Sequence, residues 1–108
     1  MSIITRTPNG GNVIASGTFT GTPVYISLES QFHPFTVTLT PGSGCVCTVK
    51  TTTVPGAAAS PPASDRWEQW DQGDVSATTT SYLNAPLTAL EISRVSGSAS
   101  CGYTVLGS

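Results

Sequence analysis

The chain has 108 residues, of which 38% are hydrophobic and only 9% charged, with a formal net charge of −2. That length supports one domain with a single modest core, and four basic residues offer no electrostatic footprint for nucleic acid or an anionic membrane. A surface this poor in charge must be covered by Thr and Ser, with 11 Gly and 8 Pro for turns, a composition that suits strands and assembly with other protein more than a solitary soluble life.

The start, MSIITRTPNG, lacks a basic region followed by a long apolar stretch, so the chain is expected to be made and folded in a cytoplasm. Short strands are predicted near Ile3 to Thr5 and Asn12 to Ala15, with residues 1–12 serving either as an edge strand or as an arm to a neighbour. Period-2 alternation then sets in. Val24, Ile26 and Leu28 alternate with Tyr25, Ser27 and Glu29, and Phe35, Val37 and Leu39 with Thr36, Thr38 and Thr40. PGSG at 41–44 leads into a strand with Cys45, Cys47, Val49 and Thr51 on one face, which predicts a β-hairpin with a four-residue turn. His33, followed by Pro34, is expected at a turn.

VPGAAASPPAS at 54–64 reads as a flexible loop without apolar side chains to pack. RWEQWDQGD at 66–74 stands out beside it. It holds both tryptophans and, with Asp65, five of the ten charged residues. A strand is expected near Val75 to Thr80, and LTALEISRV turning through SGSAS into CGYTVLG predicts a closing hairpin. About seven short strands, with turns roughly every ten residues, predict one all-β domain, an antiparallel sandwich or small barrel.

Candidate chemistry is sparse. Glu68 and Asp71 are three apart, so one helical turn would pair them as acid and base, but charged turns are more often simply solvated. Asp71 and Asp74 flank Gly73 without the spacing of a calcium loop. Trp67 and Trp70 read either as a stacking platform for a sugar or as anchors. If the segment is strand, their spacing turns the rings to opposite sides, one to the core and one to a partner. Cys45, Cys47 and Cys101 could form a three-thiolate metal site with His33 as a fourth ligand, or a disulfide in an oxidising medium. Burial as inert side chains is the commoner fate of cysteine. No phosphate-binding glycine loop or nucleophile elbow occurs, so neither catalysis nor a cofactor is expected.

Residues 65–107, from WEQWDQGDVS through LNAPLTALEISRVSGSASCGYTVLG, are similar in style to the close of many small virion proteins of tailed bacteriophages. The resemblance implies a β-rich, non-enzymatic virion component, foremost a capsid decoration or cement protein. Its partner would be the major capsid protein or another virion protein, and it would act as a homo-oligomer such as a trimer. Trp67, Trp70, Arg66, Glu68 and Asp71 would form the binding patch. The rival reading is a receptor- or carbohydrate-binding module of a tail or head fibre.

Overall fold

The structure, a computed structural model, describes residues 12–31 and 33–107. The expected strand at residues 3–5 and all of the expected arm but Asn12 lie outside them. Among these residues eight strands form: β1 (Asn12–Phe19), β2 (Val24–Ser27), β3 (Phe35–Thr40), β4 (Val46–Thr52), β5 (Glu68–Gln69), β6 (Thr79–Leu83), β7 (Ala89–Ser96) and β8 (Cys101–Gly107). They make two four-stranded antiparallel sheets, β1-β8-β3-β6 (sheet A) and β2-β7-β4-β5 (sheet B). The all-β sandwich is therefore the fold, and no barrel closes.

Both predicted hairpins are corrected. β3 lies in sheet A and β4 in sheet B, while β7 lies in sheet B and β8 in sheet A. Each connection is an arch that crosses the core. Indeed every consecutive pair except β4 and β5 changes sheets. Alternation fixes which face of a strand is buried, but it is satisfied equally by a neighbour in the same sheet and by one across the core.

The inner faces supply the core: Phe35, Val37 and Leu39 from β3, Cys47 and Val49 from β4, Leu90 and Ile92 from β7, and Cys101 and Val105 from β8, all nearly solvent-free. The strand expected near 75–80 divides in two. Val75 makes only an isolated bridge to Cys47, and β6 begins at Thr79.

Segment 54–64 is a further correction, because it does have a side chain to pack. Ala57 is fully buried against Trp67 and Ala89 on the outer side of sheet B. Thr88 Oγ1 donates to the Val54 carbonyl at 2.7 Å and the Gly56 N–H donates to the Glu29 carboxylate, which stitches down the start of the loop, and near its end the Pro62 carbonyl accepts from Trp67 Nε1 at 3.3 Å. Small side chains let the backbone lie close to the sheet.

The two arches lock at one end of the sandwich. A Cβ on Gly42 would overlap the Ser100 carbonyl, and one on Gly97, where φ is 100°, would stand 2.6 Å from Cys45 Sγ. Only glycine fits either position.

Candidate functional site

Three regions bear on function: the tryptophan segment, the cysteine end and the outer face of sheet A.

In the tryptophan segment, the Ser64–Arg66 turn of 3-10 helix leads into β5, which pairs Glu68 with Thr51 and Gln69 with Lys50. A strand turns residues three apart to opposite sides. Trp70 accordingly enters the main core at 4% exposure, its Nε1–H donating to the Gly73 carbonyl at 2.7 Å. Trp67 goes to the outer side of sheet B at 8% exposure. There its Nε1–H donates to the Pro62 carbonyl at 3.3 Å and its ring lies 5.8 Å from that of Tyr25. Both rings are covered by the chain itself, so together they present no open stacking platform.

Arg66, Glu68 and Asp71 remain exposed. No helix joins the two acids, yet Glu68 and Asp71 line one open cleft of about 440 Å³ together with Gln69, Tyr82 and Asn84. Tyr82 is 75% exposed, and the sequence reading missed it. The signal was the alternation in TTSYL, in which Ser81 goes inward and Tyr82 outward. Asp71 Oδ1 accepts from Ser81 Oγ at 2.6 Å, which ties the turn to β6. That hydroxyl, helped by the Gln72 amide and opposed by slight desolvation, holds the Asp71 carboxyl below its ordinary value.

A folded pKa below the unfolded one means stability that is fully present above the ordinary carboxylate range and lost as pH falls through the lower folded-state value. The urea midpoint of the native chain should therefore drop more steeply than that of Ser81→Ala as the pH falls below the ordinary carboxylate range. Parallel curves would show that the bond contributes nothing.

Where the arches meet, the fold brings Cys45, Cys47 and Cys101 together at no more than 2% exposure each, all as free thiols. The Cys101 sulfur accepts from the Gly42 N–H at 3.3 Å. The Ala99 carbonyl accepts from Cys45 Sγ at 3.5 Å, from Cys101 Sγ at 3.7 Å and from the Arg94 guanidinium at 2.8 Å. Burial, then the Cys101 thiol, push Cys47 up to about 12. Burial also pushes Cys101 up, but the Gly42 N–H, the two thiols and Arg94 outweigh it and leave Cys101 below the ordinary thiol value.

His33 does not join them. It precedes β3, whereas the cysteines gather beyond its far end, about 20 Å away along the strand. It sits in an exposed bend, as expected. Among the described residues no group of three or more His, Cys, Asp or Glu is disposed to hold a metal ion.

The outer face of sheet A is the third region. Strand register places Val13, Leu106, Thr36 and Tyr82 in one row, Ser16, Thr104, Thr38 and Thr80 in the next, and Thr18, Gly102 and Thr40 beyond. No residue of β1, β3, β6 or β8 is charged. Val13 and Tyr82, two of the most exposed large hydrophobic residues, stand at the two ends of the first row. Sheet B differs, for its outer face carries Lys50 and Glu91 and is partly covered by the loop over Trp67.

Among the described residues, fold and surface thus define a small β-sandwich with one uncovered, uncharged sheet face. No family model, curated protein or solved structure matches the chain.

Proposed function

We propose that the protein is a non-enzymatic structural component that assembles through the outer face of sheet A, as a capsid decoration or cement protein on the virion of a tailed bacteriophage. The observation that carries the reading is the complete absence of charge from four adjacent strands whose outward face is hydroxyls and apolar groups. Exposed sheets normally carry charge to keep other protein off. A face without it desolvates at little cost against a neutral partner. The virion setting rests on the resemblance of residues 65–107.

Magnitude shapes the mechanism. Four strands about 4.8 Å apart and about six residues long give a footprint of roughly 20 Å by 20 Å, less than a stable interface buries by itself. Attachment therefore draws on several copies acting together, as in a cyclic homo-oligomer such as a trimer astride major capsid subunits. Bound copies stabilise the shell by mass action. Deleting the gene should lower the temperature at which purified particles release DNA, and adding the protein back should restore it. Particles equally heat-resistant without it would overturn the cement role.

One observation favours the second reading, a carbohydrate-binding module of a fibre. The cleft between β5 and β6 offers an exposed aromatic ring, Tyr82, beside the carboxylates of Glu68 and Asp71 and the amide of Asn84, the groups that stack on and hydrogen-bond a sugar. It takes the place of the tryptophan platform. Glycan binding by the free protein that is lost in Tyr82→Ala would carry this reading, and its absence from a broad glycan array would remove it.

A further inference from the structure

We infer that copies of the chain join head to tail, the β1 edge of sheet A in one copy pairing antiparallel with the β6 edge of sheet A in the next. The inference rests on the assembly reading in one respect only, that several copies act together, and it names the contact that joins them.

The two sheets treat their edges differently. An edge strand offers unpaired backbone N–H and C=O groups to any other chain, and proteins guard it with charge, proline or shortness. Sheet B is guarded in this way: β2 has four residues and follows Pro23, and β5 has two residues, one of them Glu68. Sheet A is not. β1 runs for eight residues and β6 for five, neither holds a charge or a proline, and among the described residues no strand lies beside either edge. The one irregularity of β1 is a bulge at Ile14, near its start, which leaves Ala15 to Phe19 in regular register.

Strand direction and register select the partner. Every pairing in the order β1-β8-β3-β6 is antiparallel, so β1 and β6 run in opposite directions. A second copy set one sheet width to the side therefore meets β6 with an antiparallel β1. The rows that cross the sheet run on into it: Val13 comes beside Tyr82, Ser16 beside Thr80 and Gly17 beside Thr79. Almost all of β6 is paired in that register. The same step accounts for the exposure of Val13 and Tyr82, at 45% and 75%, since the two become cross-strand neighbours on one face. A two-fold contact does less. Antiparallel pairing of Tyr82 with its own counterpart overlaps only residues 81–83 of β6, and that of Val13 with its own counterpart only the first residues of β1.

Each copy uses both edges, so the contact is heterologous, the kind from which cyclic oligomers are built. A junction of four or five residue pairs is about 15 Å long, too small to hold two copies firmly by itself. A ring has as many junctions as copies, and no copy leaves it without breaking two. The joined copies also set their uncharged outer faces side by side, which supplies the area that a single footprint lacks.

The test uses the purified full-length chain alone, whereas the capsid role is read on particles, so either can fail without the other. The native chain should sediment at a multiple of the mass of one chain. Residues directly opposite on antiparallel strands stand about 4.5–5.5 Å apart between Cα atoms, within disulfide range. Ser16→Cys and Thr80→Cys, mixed in urea, refolded together and treated with excess oxidised glutathione, should therefore give a covalent dimer with one chain of each variant, identified by its intact mass. Either variant treated alone should give none. Covalent dimers from one variant alone would show a two-fold contact and overturn the proposal, as would an oligomer in which the mixed variants do not cross-link. A native chain that sediments as a monomer overturns it too, and protection of its β1 amides from hydrogen exchange would then assign that edge to residues 1–11 of the same chain.

Discussion

Replacing Trp70 by alanine is expected to cost about 3–5 kcal/mol of folding stability, a large part of the roughly 5–15 kcal/mol that holds a domain of this kind together. The indole fills the core between the sheets at 4% exposure, among Val49, Val75 and their neighbours. It also fixes the backbone that follows: the Trp70 N–H donates to the Val49 carbonyl at 2.9 Å and the ring Nε1–H to the Gly73 carbonyl at 2.7 Å. Gly73, at φ 64°, closes that turn. Alanine would leave a cavity and strip the Gly73 carbonyl of one of its donors; Thr48 Oγ1, at 3.2 Å, is another. Trp67→Ala should act differently. Its ring lies under Ala57 on the outer side of sheet B, so its loss should release the 54–64 loop to proteolysis while the sandwich keeps most of its stability. Urea unfolding and limited proteolysis of both variants check the contrast. Equal losses, or a Trp70→Ala midpoint unchanged from the native one, would contradict the assignment of one ring to the core and the other to the cover.

The second large effect concerns assembly. Thr38 stands at the centre of sheet A's outer face, between Thr104 and Thr80, with its hydroxyl 2.8 Å from that of Thr80. Lysine there would lie in water in the free chain, where surface changes usually alter stability by less than about 0.5 kcal/mol. In a closed interface the same ammonium would be buried without a counter-charge, because no residue of these four strands bears one. The expected loss is about 3 kcal/mol of association, or roughly a hundredfold in Kd. Ser76→Lys, at an exposed bend outside sheet A, should bind as the native chain does.

Much of this was legible in the sequence, and the failures are instructive. PFTVTLT announced which side of β3 is buried, because β-strand side chains alternate whatever their partner. It could not announce the partner. β3 lies between β8 and β6, which are distant in sequence, and the short PGSG linker serves an arch as well as a hairpin. The spacing of Trp67 and Trp70 foretold opposite faces. What it hid was the cover over Trp67, since that comes from a segment of Ala, Pro and Gly whose packing depends on smallness rather than hydrophobicity. The three cysteines share the core at one end of the sandwich by way of arches instead of hairpins, without the disposition of a metal site, and Arg94 reaches that end from a strand that showed no sign of it. The uncharged face emerges only when register sets four separate strands side by side, though each was visibly poor in charge.

The most direct test of assembly through that face is sedimentation of purified protein with particles from a phage deleted for its gene. Native chain and Ser76→Lys should pellet with the particles to saturation, while Thr38→Lys, shown by its urea midpoint to be folded, should stay in the supernatant. Saturating binding of Thr38→Lys at native affinity would contradict the account, as would failure of the native chain to pellet.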